Sequence, residues 1–346
     1  MKTPHNIVDI TKHQDETDKA TTKTSQSSLS SIISSIRLSN KRNAISSNLC
    51  NSVQNIRQRI SNEVIKCDPH MYWHFDLKQR NDATDYWTNG CVWVGEFIAV
   101  AIGESDLVNL IDIRHRSVVS TFYCDSEPFS ITAIADVEYL MICLPDSNKI
   151  DVLTIFDRCL TCVLEIDCEV PIFDIVHLYD CVFYGLASIK GDLYEIHLDG
   201  LKLSKVVTSE SIKRALRNAK KLTFNKRSTI LYVTCCNRNR NKVVGITANW
   251  EVKFVYVHRY LRDPYKAAVH MSGFVLLTSE GSNAVHVVTE SLEHSKIFLR
   301  GHLCGPRAIC FNDTQDKLAV VDSTPGKELR IYNLQTVATS LECGAV

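Results

Sequence analysis

A two-strand phrase recurs six times along residues 97–334 of this chain. Each copy has an apolar run, a polar turn and then an alternating run. The alternating runs are VNLIDI, IDVLTI, LYEIHL, VVGITA, VHVVTE and LRIYNL, and their starts are separated by 42, 43, 50, 42 and 44 residues. A period of this length, built from short strands, is the signature of a β-propeller.

Each unit has room for four strands, as in GCVWVG, FIAVAIG, LVNLIDI and SVVSTFYC of the first unit. A β-sandwich would not give six evenly spaced units, and a parallel α/β fold would need a helical stretch in each. We therefore predict an all-β, six-bladed propeller of the NHL or WD-like type with four-stranded blades. It begins by about Asp85 and is assigned as a domain to residues 68–346. Two segments compete to close the last blade, VATSLECGAV at the C-terminus and MYWHFDL at 71–77, and the sequence leaves both open.

The N-terminal segment, residues 1–67, has a different composition. Its first 66 residues contain no Phe, Trp or Tyr and are rich in Ser, Thr, Asn and Gln, with a low-complexity stretch at 26–35. Such a segment buries too little apolar surface to offset chain entropy, which predicts a mostly disordered tail. A short helix over 44–65 is the alternative, because Leu49, Val53, Ile56, Ile60 and Val64 follow helical spacing.

Composition places the chain among globular proteins, with 45% apolar and 23% charged residues. The first twenty residues have no apolar core of a secretory signal, and no apolar run is long enough to cross a membrane. We expect a cytoplasmic protein without membrane association. In that reducing setting most of the 14 cysteines are expected to be buried in strands as small apolar residues, for example Cys91, Cys143, Cys181 and Cys310.

Motifs for chemistry are sparse. Cys159, Cys162 and Cys168 suggest a metal or redox site, but a second pair at zinc spacing and a thioredoxin-like pattern are missing, which favours a structural role. Gly-rich phosphate loops, nucleophile elbows and His-rich metal motifs are also missing. No cofactor is expected. A calcium-dependent hydrolase, with acids such as Asp136, Glu138, Asp146 and Asp174 at the central channel, is the minor alternative.

The repeats resemble the NHL-type C-terminal propellers of tripartite-motif proteins, of the divergent invertebrate kind. The segments that carry this resemblance are YLMICLPDSNKIDVLTI at 139–155 and PRAICFNDTQDKLAVVDSTPGKELRIYNL at 306–334. The blades lack the Gly-His and Trp-Asp landmarks of WD repeats. The resemblance implies a recognition propeller, whereas the family's RING and B-box zinc modules have no counterpart here, since the first 80 residues contain only Cys50 and Cys67.

Charge is unevenly distributed, although the formal net charge is +0. Residues 85–199 hold 20 acidic residues and 5 Lys or Arg, whereas residues 202–262 hold 15 Lys or Arg and 2 acidic residues, Glu210 and Glu251. These windows carry net charges of −15 and +13, and they correspond to blades one to three and to the region of blades three and four. A basic surface of this kind can neutralise phosphates or bind an acidic protein surface.

Propeller topology predicts where the basic groups lie. The turn between strands two and three of a blade shares a face with the connection to the next blade. The blade three-to-four connection, SESIKRALRNAKK, can dock as a short helix through Ile212, Leu216 and Ala219. The predicted partner-binding cations, turned mostly outward on this face, are Lys213, Arg214, Arg217, Lys220, Lys221, Arg238, Arg240, Lys242 and Arg262.

The sequence thus favours a non-enzymatic interaction module, a scaffold that recognises a protein partner and is an adaptor of tripartite-motif-like architecture. The alternative is an RNA-binding propeller that uses the basic face, since some propellers of the resembled family bind RNA hairpins. Against RNA, Tyr260 and Tyr265 are the few aromatic candidates for base stacking nearby. A solvated basic surface without a partner and the metal-dependent hydrolase remain the other readings. Neither the partner nor the oligomeric state follows from the sequence.

Overall fold

A computed structural model describes residues 29–38, 63–67, 73–77, 87–134, 138–206, 208–237, 241–291, 295–323 and 328–338. These residues form six antiparallel sheets arranged in the order of the chain. The inner strands of neighbouring sheets pack side by side around the ring, and the last lies against the first. The prediction of a six-bladed, four-stranded propeller is therefore confirmed.

Blades 1 to 3 follow a simple up-and-down order from the channel outward. The strands of blade 1 are β3 (Thr88–Val94), β4 (Phe97–Ile102), β5 (Leu107–Asp112) and β6 (Ser117–Tyr123). Those of blade 2 are β7 (Ser130–Ile134), β8 (Tyr139–Leu144), β9 (Lys149–Phe156) and β10 (Cys159–Asp167). Those of blade 3 are β11 (Asp174–Tyr179), β12 (Val182–Leu186), β13 (Leu193–His197) and β14 (Lys202–Lys205).

Blades 4 and 5 repeat this order after a short helix, α2 (Glu210–Ala215). The strands of blade 4 are β15 (Ala219–Asn225), β16 (Ile230–Cys235), β17 (Lys242–Thr247) and β18 (Val252–Tyr256). Those of blade 5 are β19 (Pro264–Val269), β20 (Phe274–Ser279), β21 (Ala284–Thr289) and β22 (Ser295–Phe298). The turns PDSN and EGSN of the repeats are single 3₁₀ turns that end in a left-handed asparagine, Asn148 and Asn283, a conformation that asparagine tolerates well.

The last blade is closed from the N-terminal side. It contains β23 (Pro306–Phe311), β24 (Lys317–Asp322) and β25 (Glu328–Ala338). Its outer strand is formed by β2 (Trp73–Asp76), which pairs with residues 328–331, and by β1 (Glu63–Cys67), which pairs with residues 334–338. Trp73 is 4% exposed and joins the apolar cluster of blades 1 and 6. Residues 73–76 of the predicted MYWHFDL segment thus take the outer position, where burial of this ring stabilises them, and residues 339–346 of the competing segment lie outside the described residues.

The structure differs from the predicted tail in two places. A helix, α1, covers residues 29–38 within the segment predicted to be mostly disordered, because its isoleucines are buried against the propeller. The strand β1 also lies inside the 1–67 range, so the propeller begins before the predicted boundary. Of the helix predicted over 44–65, residues 44–62 lie outside the described residues, and the last three are strand, since Val64 pairs with Val337.

Apolar residues from both faces of each sheet fill the spaces between neighbouring blades. The strands are buried on both sides, as in β5, whose six residues are all buried, so they read as nearly continuous apolar runs. Cys91, Cys143 and Cys181 are buried among them and Cys310 is half-buried, and these four thiols are free. None of the described helices is long and apolar enough to cross a lipid bilayer.

Candidate partner-binding face

One face of the ring carries the connections between blades together with the turns between second and third strands, and we call it the loop face. The topology requires this grouping, because each inner strand starts where the connection arrives and antiparallel neighbours reverse direction. Those cations predicted from the sequence that lie within the described residues belong to segments of this face or to the strand ends that meet it.

The helix α2 lies on the loop face between blades 3 and 4. The Ser209 hydroxyl accepts a hydrogen bond from the Ile212 amide at 3.4 Å and caps its start. Ile212 and Leu216 are buried in the cluster of blades 3 and 4. Gly191, with φ +85°, lies so close to Leu216 that a Cβ there would come within 2.4 Å of the Leu216 side chain. The tight turn of blade 3 therefore holds the helix in place.

Docking of α2 leaves its cations on the outside, as the sequence predicted. Lys213, Arg214 and Arg217 are exposed. The Lys213 ammonium donates to the Glu210 carboxylate at 3.0 Å, an exposed pair of small energetic weight. These side chains are available to an incoming acidic surface.

The prediction that Lys220 and Lys221 turn outward is wrong. The helix ends at Ala215 and the inner strand β15 starts at Ala219, so both lysines lie on a strand at the channel rather than on a surface helix. Lys221 is 3% exposed and its ammonium donates to the Phe129 carbonyl. Lys220 is half-buried, with its nitrogen 5.4 Å from the centroid of the Tyr265 ring.

The remaining predicted cations lie around blades 4 and 5. Lys242 is half-buried at the start of β17, and Arg262 is exposed in the connection to blade 5. The backbone of Arg262 is held in place, because its amide donates a hydrogen bond to the Ser279 hydroxyl at 2.9 Å. Arg238 and Arg240 lie outside the described residues.

At the centre of the loop face the channel widens into a cavity of about 440 Å³, which we call the mouth pocket. All six inner strands contribute to it through their first residues or the residue just before them. Its main side chains are Trp87, Asn89, Glu127, Phe129, Phe173, Lys220, Lys221, Tyr265 and Arg307. A pocket with apolar walls and a few convergent polar groups is the usual form of a ligand site in proteins.

Cations and aromatic rings face one another across the mouth pocket. The Arg307 guanidinium lies 4.8 Å from the Trp87 ring and 5.0 Å from the Tyr265 ring. The Lys221 nitrogen lies 5.3 Å from the Tyr265 ring and 5.8 Å from that of Phe129. Tyr265 is fixed by its hydroxyl, which donates to Asn89 at 3.1 Å. The rings pack on the cations, which also have polar partners: Arg307 pairs with the Glu280 carboxylate at 3.0 Å, and Lys221 lies 3.6 Å from the Asp174 carboxylate.

Beneath the mouth pocket one buried carboxylate meets two lysines. Asp174 is fully buried, and its oxygens lie 3.6 Å from the Lys221 nitrogen and 3.2 Å from the Lys266 nitrogen. Ser130 and the Leu222 amide also donate to this carboxylate. Burial lowers the pKa of both lysines, and the Asp174 carboxylate opposes that shift. With both lysines charged the group is net positive, which favours an anion in the pocket above.

A second basic group lies on the loop face beyond the pocket. Arg259 and Arg300, from successive blade connections, stack on Tyr260 at 4.6 and 5.2 Å from its ring centroid. Together with the exposed cations of α2 and Arg262 they form the basic half of the loop face, which reaches from α2 toward blade 6. Tyr260 is thus already held between two cations, and Tyr265 is buried, so neither aromatic candidate is freely exposed for base stacking.

The sequence analysis missed Trp87, Phe129, Phe173 and Arg307 as site residues and did not assign Tyr265 to the channel. A usable signal was present. Counted from Asn89, two residues after Trp87, the residues at the same register position of the next blades are 129, 173, 220, 265 and 307, as the pairing of each first strand with its second strand shows. Residues at one position of a closed repeat converge on the ring axis.

The side chains considered for a metal-dependent hydrolase do not converge. Glu138 and Asp146 flank opposite ends of β8 and therefore lie on opposite faces, Asp174 is paired with lysines, and Asp136 is outside the described residues. No group of three His, Cys, Asp or Glu suited to a metal ion occurs in the described ranges. Cys162 and Cys168 donate to nearby backbone carbonyls.

No family model matches this sequence, and no curated protein matches it either. Solved structures share the fold. One is a protein of unknown function from Bacteroides thetaiotaomicron, with TM-score 0.59, 11% identity, and 79% of this chain and 76% of that one covered. Another is virginiamycin B lyase from Staphylococcus aureus, with TM-score 0.54, 10% identity, and 79% and 100% covered. A third belongs to the Mitotic Checkpoint Complex, with TM-score 0.50, 9% identity, and 72% and 74% covered. At these identities the likeness shows the fold alone, a β-propeller, and the six blades are counted from the sheets of this chain.

Proposed function

We propose that this propeller is a non-enzymatic recognition module that binds an acidic segment of a partner protein on the loop face, across the mouth pocket. The observation that carries the proposal is the pocket itself, to which all six blades contribute and in which cations of blades 4 and 6 lie beside aromatic rings of blades 1, 2 and 5. Aromatic residues and arginine are the side chains that contribute most to protein interfaces.

The size and charge of the site support a peptide segment as ligand. A cavity of about 440 Å³ holds one or two side chains, whereas the surrounding cations Arg214, Arg217 and Arg262 are exposed and can contact the flanking residues. The propeller structure from the Mitotic Checkpoint Complex is an instance of this fold within a protein assembly. A partner that carries Asp or Glu would be steered to the basic half of the face.

The kinship with NHL-type propellers of tripartite-motif proteins, of the divergent invertebrate kind, belongs to the same proposal and is supported by the segments at 139–155 and 306–334. On that reading the chain is an adaptor that acts in the cytoplasm. RNA binding through the basic face is the competing hypothesis, and a nucleic-acid arm in the experiment separates the two.

The test is selection of random twelve-residue peptides on the full chain. We expect enrichment of Asp and Glu next to an aromatic or aliphatic residue, and at least about tenfold weaker binding by Lys220→Gln/Arg307→Gln, as expected for loss of two charge-assisted contacts. The matched control is Lys202→Gln/Lys253→Gln, which removes the same charge from exposed positions on outer strands and should bind as the wild type does.

Two outcomes would overturn the proposal. Enriched peptides without acidic residues, or equal losses in the pocket variant and its control, would remove the pocket from recognition. Tight binding of a random RNA pool that weakens steeply with salt and is lost in the pocket variant would establish the nucleic-acid function instead.

A further inference from the structure

The helix α1 is separated from blades 2 and 3 in sequence but packs against their junction. Ile32 and Ile36 are 1% and 0% exposed, and they share one apolar cluster with residues of both blades. Leu29 and Ile33 pack against the same cluster. The junction therefore forms a groove that a helix fills.

The sequence of α1 indicates a helix that is stable when it is packed in the groove and not on its own. Four of its five aliphatic residues, all except the exposed Leu38, follow the spacing i, i+3, i+4 and i+7, which forms a single stripe. The other positions include four serines, and Ser30, Ser31 and Ser34 are exposed. Serine is a mediocre helix former, and an isolated helix of ten residues is marginal in water. The groove, and not the helix's own propensity, keeps α1 folded.

One exposed ion pair of small energetic weight also joins the helix to blade 3. The Arg37 guanidinium lies 3.5 Å from the Asp199 carboxylate. Asp199 belongs to the turn between β13 and β14, and this turn is on the face of the ring opposite the loop face. Burial raises the pKa of the Cys181 thiol in this cluster, and the nearby Asp199 and Asp180 carboxylates raise it further, so the junction carries acidic groups. A helix with cations on its polar side would complement this surface better than the serines of α1 do.

We propose that the groove between blades 2 and 3 is an exchangeable docking site for short amphipathic helices, with α1 as its resident ligand. The incoming partner is a helix with aliphatic residues at the four stripe positions and Lys or Arg on its polar side. Because α1 is tethered, it competes at an effective concentration of roughly millimolar order. A partner displaces it only through better helix formation and charge complementarity. This site is separate from the mouth pocket, and its test does not depend on loop-face binding.

The experiment opens the groove in the full chain with Ile32→Asp/Ile36→Asp and adds a fluorescent peptide of residues 27–40. We expect the opened chain to bind this peptide at least about tenfold more tightly than the wild-type chain, where the tethered helix competes. The same peptide carrying Ile36→Asp should not bind. A Ser31→Lys/Ser34→Lys peptide should bind at least about threefold more tightly at low salt than its Ser31→Glu/Ser34→Glu counterpart.

Binding that is equal in both chains, or absent from a folded opened chain, would overturn the proposal, and so would equal affinity of the lysine and glutamate peptides. If the opened chain fails to fold, hydrogen exchange on the wild type decides. Amides of α1 should exchange at least about 100-fold faster than those of β8 and β12, and equal protection would make α1 a fixed part of the core. A wild-type dimer that Ile36→Asp dissociates would assign the groove to a second copy and refute a partner helix.

Discussion

Replacing Asp174 with asparagine removes the carboxylate that faces Lys221 and Lys266 and leaves two largely buried ammonium groups without it. The side chains are 0%, 3% and 19% exposed, respectively, so water cannot solvate the lysines well. Breaking a buried ion pair by removing one partner costs about 3–5 kcal/mol. In a domain of this size that corresponds to a fall in Tm of about 10 °C.

The stability lost on replacing Asp174 with asparagine should depend on pH in a defined direction. Burial already lowers the pKa of both lysines, and removal of Asp174 removes the interaction that raises it. Between the folded pKa and the unfolded value of 10.5, the unfolded chain binds more protons than the folded one, so stability rises with pH. The deficit of the Asp174→Asn chain should therefore be largest near pH 6 and smaller near pH 9.

Urea unfolding of the wild type and Asp174→Asn at these two pH values measures the effect. A second variant, Asp174→Asn/Lys266→Met, removes one of the stranded charges and should recover part of the loss. Asp157→Asn, at an exposed turn, should change the free energy of unfolding by less than about 0.5 kcal/mol. Extrapolated free energies of unfolding scatter by about 1 kcal/mol. If the value for Asp174→Asn lies within that range of the wild-type value at both pH values, the argument from buried charge is wrong.

Three further perturbations test the ring and its buried groups. Trp73→Ala should lower the free energy of unfolding by about 3–5 kcal/mol, whereas Tyr123→Ala, at an exposed ring, should have little effect in the same urea titration. Burial lowers the pKa of His177 from 6.5 to about 4, so the unfolded chain gains a proton first as pH falls. The wild type should then lose about 2 kcal/mol more than His177→Gln between pH 7 and pH 5, and equal losses would contradict the assignment. The Cys91 and Cys310 sulfurs lie 3.5 Å apart on the first and last inner strands. Hydrogen peroxide should join these thiols in a disulfide with release of water, seen as the loss of two hydrogens by mass spectrometry and prevented by Cys310→Ser.

The fold could be predicted from sequence because the pattern repeats. Six phrases in step with one period leave few architectures, and a ring of equivalent blades buries both faces of every strand. The stripe at Ile212 and Leu216 likewise predicted a docked helix, because helical spacing is a local property. Both inferences used information confined to a few neighbouring residues.

The errors concern boundaries and distant partners. Lys220 and Lys221 fit a helical pattern equally well, and only the start of β15 decides that they face the channel. Helix α1 could not be predicted from its own residues, since serine-rich sequence has little intrinsic tendency to fold and its stability comes from blades more than 100 residues away. The closing strand β2 could not be predicted for the same reason. Trp73 packs into the apolar cluster between blades 1 and 6, and no pattern of neighbouring residues describes that contact.

The polarity of the mouth pocket connects the charge split of the sequence to the proposed function. Blades 1 to 3 contribute Trp87, Phe129 and Phe173, whereas Lys220 and Arg307 come from blades 4 and 6. A partner segment bound as proposed would place its carboxylate toward blades 4 to 6 and its apolar neighbour toward blades 1 to 3. The acidic loops of blades 1 to 3 would repel a carboxylate placed the other way round. The uneven charge along the chain therefore sets the direction of the ligand, and reversing the order of the acidic and apolar residues in a selected peptide should weaken its binding.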